Sequence, residues 1–298
     1  PAMTAIGVMV NTTRLREHPE MVAPARAAVD VLSREARTVW VNDEAAHLLD
    51  RADLATSEED LVERAALLVV FGGDGTILRA ARLAAPRGIP IAGVNMGGFG
   101  FLAELSTEDF PSALPRLLAG RYTIDERMML EAAVEQGGGG PQRLLALNDI
   151  VVTKSGVARV LRLRVSVNGE HLASYPADGV IVASPTGSTA YSLSAGGPIL
   201  DPRVAAIVIT PICPHTFNAR AVVVGGGDEI AVEVTAPDPE ATLSVDGRVG
   251  VTLSAVRRVT VRAAAQRTRF VRLGGSSFYG ILRNKLAWGG RASLEGER

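Results

Sequence analysis

Hydrophobic positions divide the chain into two parts with different periods. In roughly the first hundred residues, short apolar runs alternate with segments that repeat at the helical period. Continuous apolar strands separated by helices are typical of a parallel sheet covered on both faces. The predicted strands are Ala5–Val10, Arg37–Val41, Leu67–Phe71 and Ile89–Val94, and the predicted helices are Met21–Ala36, Glu58–Ala66 and Thr76–Ala85.

After about Tyr122 the period changes to two, with many β-branched residues and turn signals between the runs. This pattern predicts a β-rich, sandwich-like domain over residues 123–271. A helical tail, Ser277–Trp288, then returns to an α/β domain made of residues 1–122 and 272–298. The predicted strands are Leu144–Val152, Val160–Val167, Gly179–Ala183, Ile207–Pro211, Glu229–Thr235 and Val256–Arg262, and the turns are Gly137–Pro141, Asn168-Gly169, Pro237–Pro239 and Asp246-Gly247.

Composition narrows the class of protein. A formal net charge of -1 gives no basic surplus for nucleic acid, and no apolar stretch is long enough to span a membrane. No charged-then-apolar leader opens the chain. The single cysteine, Cys213, excludes an internal disulfide, and its apolar run Ala205–Cys213 predicts a buried thiol. We therefore expect a cytoplasmic protein with neither a nucleic-acid nor a membrane partner.

The first candidate site is the turn Gly72-Gly73-Asp74-Gly75-Thr76, between an apolar strand and a helix. Ligands favour this edge of a parallel sheet. Glycines let a phosphate approach the backbone amides, and the helix start adds a partial positive charge. Asp74 could take a proton from a hydroxyl. A plain connecting turn is the alternative.

The second candidate site is Ser184–Pro198, where hydroxyls and glycines are too dense for a core strand. Such a loop offers many donors and acceptors, and Tyr191 offers a flat face on which a base could stack. The alternative is a surface loop with capping serines. No Gly-x-Ser-x-Gly motif marks a serine hydrolase.

The sequence lacks the motifs of other familiar nucleotide-binding and metal-binding sites. Neither lysine follows a glycine, as a Walker-type phosphate loop requires, and the Gly-x-Gly-x-x-Gly dinucleotide fingerprint is missing. Four histidines and one cysteine show no metal-ligand spacing, so any metal is expected to be Mg²⁺ that arrives on nucleotide phosphates.

Several shorter polar motifs allow either a functional or a purely structural interpretation. Asn148-Asp149 interrupts a strand-like run and suggests either a ligand contact or a bulge. Asp178-Gly179 and Asp246-Gly247-Arg248 could be plain turns. Arg159 has no distinguishing context of its own.

Taken together, these motifs resemble the NAD kinase family over nearly the whole chain and in the family's order. Gly72–Thr76 matches the first signature, which lipid kinases share, and Ser184–Pro198 resembles the more specific second signature. Further similar segments are Asn95–Leu102, Asn148-Asp149 (where many members have Asn-Glu), Pro211–Ala221 and Phe278–Gly290.

The resemblance implies a Rossmann-like α/β domain, a β-sandwich domain and a homodimer or homotetramer. It also implies transfer of the terminal phosphate of ATP, or of polyphosphate, to the 2′-hydroxyl of the adenosine ribose of NAD. A lipid kinase and a non-catalytic nucleotide sensor are the alternatives. A lipid kinase would need a surface that docks on a membrane, and the sequence shows no basic amphipathic helix that could supply one.

The resemblance also assigns roles to residues. Asp74 accepts the proton of the hydroxyl, with Gly75 beside the same ribose. Asn148 and Asp149 hold hydroxyls and phosphates of NAD. The remaining implied contacts are the nucleotide-binding turn residues Gly72, Gly73 and Thr76, the base pocket of Phe101, Thr189, Ala190, Tyr191, Ser192, Leu193 and Ser194, and the NAD-binding positions Asp178, Arg159 and Arg248, some of them reaching a neighbouring subunit.

Overall fold

The computed structural model divides into two compact units. Unit 1 comprises Pro1–Asp125 and Arg269–Arg298, and unit 2 comprises Glu126–Thr268. The predicted domain limits at 122 and 272 remain a prediction. The structure describes residues 5–36, 38–97, 100–135, 141–155, 160–235, 241–253, 258–275 and 277–286.

Helices and strands alternate up to Asn95, and strands dominate from Thr123 to Arg272. The described helices are α1 (Thr12–Glu17), α2 (Val22–Glu35), α3 (Asp43–Leu48), α4 (Glu58–Arg64), α5 (Asp74–Ala84), α6 (Phe110–Leu118), α7 (Tyr191–Ser194) and α8 (Phe278–Lys285), with 3₁₀ turns at Pro19–Met21, Ala52–Leu54, Ala85–Arg87 and Gly187–Thr189. The described strands are β1 (Ala5–Val10), β2 (Thr38–Asn42), β3 (Ala55–Thr56), β4 (Leu67–Phe71), β5 (Pro90–Asn95), β6 (Leu105–Ser106), β7 (Thr123–Val134), β8 (Gln142–Ala146), β9 (Asp149–Lys154), β10 (Leu161–Val167), β11 (Glu170–Ala177), β12 (Gly179–Ala183), β13 (Ala206–Ile212), β14 (Val222–Gly225), β15 (Ile230–Val234), β16 (Ala241–Val245), β17 (Arg248–Thr252) and β18 (Arg258–Arg272).

Unit 1 is built on a parallel sheet. Its strands lie in the order β3, β2, β1, β4, β5, and the last residues of β18 pair in parallel with β5. One row across the sheet joins Val41, Val8, Val69 and Ala92. Every residue of β4 is buried, because helices cover both faces of such a sheet. The loops that follow β1, β4 and β5 therefore meet at one edge, called here the carboxyl edge.

Unit 2 contains two antiparallel sheets around a common core. One sheet has the order β14, β13, β12, β9, β16, β17, and the other contains β11, β10, β15 and the first part of β18. Strand β10 shows the period of two that the sequence predicts: Leu161 and Leu163 are buried, and Arg162 and Arg164 are exposed. The apolar residues that face inward from both sheets form one cluster.

Strand β12 is buried on both faces, which determines where the following segment lies. Val180 and Val182 face the core between the sheets. Ile181 and Ala183 belong to a second cluster, against which Leu200 packs. The chain that leaves β12 therefore folds back over the outer face of its own sheet.

The structure confirms most predicted elements and corrects others. Strands β1, β4 and β12 have the predicted limits, and Asn168-Gly169 and Asp246-Gly247 are turns with positive φ. The predicted strand Leu144–Val152 is wrong, because it is broken into β8 and β9. The predictions at Gly137–Gly140, Pro237–Pro239, Arg159 and residues 287–288 lie outside the described residues.

Cys213 is a second correction. The thiol was expected to be buried, but the residue is exposed and has a φ of 43°. Strand β13 ends at Ile212, and the chain turns outward there, so the apolar run extends one residue beyond the buried strand. No helix in the described part of the chain is long and apolar enough to cross a bilayer.

The packing of Phe71 at the end of β4 generates a stability prediction. Its fully buried ring meets that of Phe110 edge-to-face, with centroids 5.1 Å apart. We expect Phe71→Ala to cost about 3–5 kcal/mol, since it leaves a cavity in the core. Denaturant unfolding measures the loss. The control is Phe217→Ala, at a residue that is 100% exposed, which should change stability by less than about 0.5 kcal/mol; equal midpoints for the two variants would contradict this packing.

Candidate active site

The turn after β4 converts a strand into a helix within two residues. Helix α5 begins at Asp74, and Gly73 is its N-cap, although the sequence predicted a start at Thr76. The amide of Gly72 donates to the carbonyl of Val94 at 3.0 Å, and that of Thr76 donates to the carbonyl of Gly73 at 3.0 Å. Asp74 thus stands at the carboxyl edge, as predicted.

The glycines of this turn have two different uses. A Cβ on Gly72 would lie 2.5 Å from Thr76 Oγ1, so this position needs glycine for packing. A Cβ on Gly73 or Gly75 would meet no described atom within 4 Å. The backbone at those two positions is therefore open to a phosphate or a ribose.

The carboxylate of Asp74 is held by the loop after β5. The amide of Phe101 donates to its Oδ2 at 2.9 Å, and the amide of Leu102 donates to its Oδ1 at 3.2 Å. The approach is so close that a Cβ on Gly100 would lie 2.0 Å from Oδ1. Each oxygen keeps further acceptor capacity, so the fixed carboxylate can still accept a hydrogen bond from a hydroxyl. The half-buried ring of Phe101 lies 5.9 Å from Lys285 Nζ.

In unit 2, a carboxylate also organises the backbone at Asn148-Asp149. Asp246, in the turn between β16 and β17, accepts hydrogen bonds from the amides of Leu147 at 3.2 Å, Asn148 at 2.7 Å and Asp149 at 3.4 Å. These amides turn towards Asp246, which breaks the predicted strand. Sequence reasoning saw only a hairpin turn here, because Asp-Gly is common in such turns.

Asp149 is a buried acid beside this contact. Asp149 is 4% exposed. This burial and, second, the nearby charge of Asp246 raise the pKa of its carboxyl group to about 7. A carboxyl group with that pKa can donate or accept a hydrogen bond near neutral pH.

The segment Ser184–Pro198 packs directly against the strand break. The amide of Ser184 donates to the carbonyl of Asn148 at 2.8 Å, and its hydroxyl donates to the carbonyl of Leu147 at 2.5 Å. A Cβ on Gly187 would lie 2.0 Å from the carbonyl oxygen of Asn148. Unit 2 thus brings two sequence-predicted features together.

Most hydroxyls of the segment bind to protein, which the sequence could not predict. The hydroxyl of Ser188 donates to the carbonyl of Pro185 at 2.7 Å, and that of Thr189 donates to the carbonyl of Thr186 at 3.2 Å. The hydroxyl of Ser192 is 2.8 Å from that of Thr210. Tyr191 is 46% exposed and can stack on a ligand. Ala190 and Leu193 are half-buried beside it, and Ser194 is exposed.

Two further predicted residues, Asp178 and Arg248, lie elsewhere in unit 2, where the structure also shows a buried cation that the sequence did not predict. Asp178 pairs with Lys154 Nζ at 2.8 Å, and Arg248 is exposed at the start of β17. Arg127 was not predicted, although it is buried and its Nη1 donates to Thr186 Oγ1 at 3.3 Å. The only feature of the sequence that could have indicated Arg127 is its position directly before an apolar run in β7.

The raised pKa of Asp149 predicts a dependence of stability on pH. An unfolded aspartate titrates near pH 3.8, whereas folded Asp149 retains its proton up to about pH 7. Its contribution to stability is therefore complete below about pH 4 and is lost as the pH rises through about 7. Relative to the parent, Asp149→Asn should gain up to about 1.4 kcal/mol per pH unit across this interval.

Denaturant unfolding at pH 5, 6, 7 and 8 measures this difference in stability. The other titratable groups contribute equally to the parent and the variant, so their contributions cancel in the difference. Asp246→Asn should move the transition to lower pH, because it removes the second cause of the shift. A difference between parent and Asp149→Asn that stays constant from pH 5 to 8 would rule out a raised pKa.

Family models match both parts of the chain. Residues 6–122 match the ATP-NAD kinase N-terminal domain, and residues 147–273 match the ATP-NAD kinase C-terminal domain. The chain is 44% identical over 291 residues to the NAD kinase of Moorella thermoacetica, covering 97% of this chain and 91% of the relative. It is 41% identical over 284 residues to the NAD kinase of Desulforamulus reducens, covering 95% and 97%.

Solved structures share the fold. Yeast NADH kinase complexed with NADH superposes with a TM-score of 0.86 at 25% identity, covering 100% of this chain and 91% of that one. An NAD kinase from Archaeoglobus fulgidus in complex with ATP gives 0.70 at 24% identity, covering 95% and 98%, which shows the fold alone. These likenesses confirm the predicted α/β domain, β-rich domain and C-terminal helix. The chain belongs to the NAD kinase family.

Proposed function

We propose that the chain transfers the terminal phosphate of ATP to the 2′-hydroxyl of the adenosine ribose of NAD, which gives NADP and ADP. The observation that carries this proposal is the Asp74 carboxylate, fixed by two amides beside the open backbone of Gly73 and Gly75. The curated relatives are named NAD kinases, and the yeast structure contains NADH. Neither a lipid kinase nor a sensor has support from the comparisons.

Asp74 is the proposed proton acceptor. The ribose oxygen attacks the terminal phosphorus, the bond from that phosphorus to the bridging oxygen breaks, and ADP leaves. The hydroxyl proton passes to Asp74. Most of the catalysis in such a transfer is positioning and charge neutralisation, so the fixed orientation of the carboxylate matters more than its basicity.

The other proposed contacts divide between phosphate and NAD. Gly72, Gly73, Gly75 and Thr76 would lie beside the phosphates and the reacting ribose. Asn148 and Asp149 would bind hydroxyls and phosphates of NAD, where Asp149 can act as donor or acceptor. In unit 2, the residues that would contact the base are Thr189, Ala190, Tyr191, Ser192, Leu193 and Ser194, and the further NAD contacts would be Asp178, Arg159 and Arg248. In unit 1, Phe101 would contact the base.

Mg²⁺ is the proposed cofactor, carried on the phosphates of ATP. In the described ranges, no three His, Cys, Asp or Glu side chains form a group that could hold a metal. Mg²⁺ usually keeps several waters and is bound through one or two carboxylates together with substrate phosphates. When bound, Mg²⁺ would neutralise charge that develops on the phosphates. Polyphosphate is the alternative donor.

We propose a homodimer or homotetramer in the cytoplasm, in which some of Asp178, Arg159 and Arg248 reach the NAD of a neighbouring subunit. Arg248 is exposed and can reach another molecule, whereas Asp178 is half-buried and paired with Lys154. Sedimentation with and without NAD measures the assembly.

Product analysis tests the activity itself. The protein is incubated with NAD or diacylglycerol and, in turn, with ATP, other nucleoside triphosphates or polyphosphate, and products are identified by mass. We expect NADP from NAD and no phosphorylated lipid. Phosphorylated diacylglycerol without NADP would reverse the assignment.

Asp74→Asn should lower NADP formation by about 10²-fold or more, because the positioned proton acceptor is lost. Asparagine keeps one acceptor oxygen, so one amide contact of the loop at Phe101 and Leu102 is also lost. Calorimetry measures NAD binding separately from turnover. We expect Asp74→Asn still to bind NAD, which would show that the loss of the loop contact is not the cause of the lower turnover. The control is Asp43→Asn, because Asp43 is exposed and also starts a helix that follows a parallel strand. Near-normal turnover by Asp74→Asn would remove Asp74 from its role.

A further inference from the structure

The first loop of unit 1 is attached to the turn that carries Asp74. Asn11 follows β1 and caps α1, where its side-chain oxygen accepts from the amide of Arg14 at 3.0 Å. Its Nδ2 donates to Thr76 Oγ1, also at 3.0 Å. Since β1 and β4 are adjacent parallel strands, the start of α1 and the start of α5 lie together at the carboxyl edge.

The guanidinium of Arg14 lies on the loop after β5. Its Nε donates to the carbonyl of Met96 at 2.5 Å. Gly97 has a φ of +136°, and a Cβ there would lie 1.9 Å from Arg14 Nη2. Only glycine allows the guanidinium to lie so close to this backbone. The same loop continues to Gly100 and Phe101, which contact the carboxylate of Asp74.

Arg14 is a half-buried cation that interacts electrostatically with the exposed carboxylate of Glu20 but forms no ion pair with it. Among the described residues, no carboxylate oxygen lies within ion-pair distance of its guanidinium, and Nη1 and Nη2 make no hydrogen bond. By contrast, Arg16 on the same helix pairs with Glu44, and Arg51 pairs with Asp30. A partly buried charge is costly unless it is paired. The planar donors of a guanidinium suit two oxygens of one phosphate.

From these contacts we propose that Arg14 binds the phosphate chain of the phosphoryl donor at the carboxyl edge of unit 1. The inference deepens the proposed function and rests on it. In this role Arg14 touches phosphate oxygens with Nη1 and Nη2, while its Nε–H holds the side chain on Met96. A nucleoside triphosphate and an inorganic polyphosphate share this chemistry, and both are tested.

The experiment compares Arg14→Gln and Arg14→Lys with the parent. Arg16→Gln is the control, since it removes the same charge from the same helix at an exposed, ion-paired position. Calorimetry with Mg²⁺ measures the binding of ATP and of inorganic tripolyphosphate, and a coupled assay measures KM for ATP and for NAD. The calorimetric arm does not require turnover.

We expect Arg14→Gln to weaken binding of both phosphate ligands by about 10- to 100-fold, the scale of a hydrogen bond between charged groups. KM for ATP should rise by a similar factor, and KM for NAD should stay within about twofold. The affinity of Arg14→Lys for both phosphate ligands should fall between those of the parent and of Arg14→Gln, because lysine keeps the charge but loses the planar guanidinium and the Nε–H contact with Met96. Weaker ATP binding with unchanged tripolyphosphate binding would reject a contact with the phosphate chain.

Two other results would overturn the proposal. In the first, Arg14→Gln binds ATP and tripolyphosphate as tightly as Arg16→Gln. In the second, Arg14→Gln loses NAD and ATP binding in equal proportion together with a lower melting temperature, which indicates a structural role only. If the parent binds ATP but makes no NADP, the proposed function fails, while the binding comparison still decides the role of Arg14.

Discussion

Both candidate sites depend on the same interaction, a carboxylate that accepts hydrogen bonds from backbone amides distant in sequence. Asp74 holds the amides of Phe101 and Leu102, and Asp246 holds three consecutive amides that begin at Leu147. Charged acceptors make such bonds shorter and stronger than neutral ones. Each carboxylate thereby fixes two loops relative to each other, so the chemistry of each site is set by backbone geometry.

These contacts require positions without side chains. The backbone at Gly100 passes so close to Asp74, and that at Gly187 so close to Asn148, that a single methyl group would overlap an oxygen at each place. A glycine-rich segment here indicates close approach between chain segments as much as ligand access. Gly73 and Gly75, where the space is open, show the second use.

The sequence predicted elements well where one local pattern decided the outcome. Strands β1, β4 and β12 are continuous apolar runs, and their limits were found from the sequence. Helices α1 and α3 were missed, because six polar or mixed residues show no helical period, and α1 depends on the cap from Asn11. The sequence indicated an interruption at Asn148-Asp149 but not a break between two strands, because the cause of the break, Asp246, is 99 residues from Leu147. The positions of Arg14 and Arg127 likewise depend on tertiary contacts that no local pattern encodes.

The discontinuous course of unit 1 has a consequence for the order in which it forms during synthesis. The edge of β5 receives Arg269 and Phe270 from the end of β18, and Arg116 on α6 donates to the carbonyl of Leu273. Arg269, Phe270 and Leu273 have not been made when β5 emerges from the ribosome. The whole of unit 2 is translated in between, so unit 2 can fold while the sheet of unit 1 still has an unpaired strand edge.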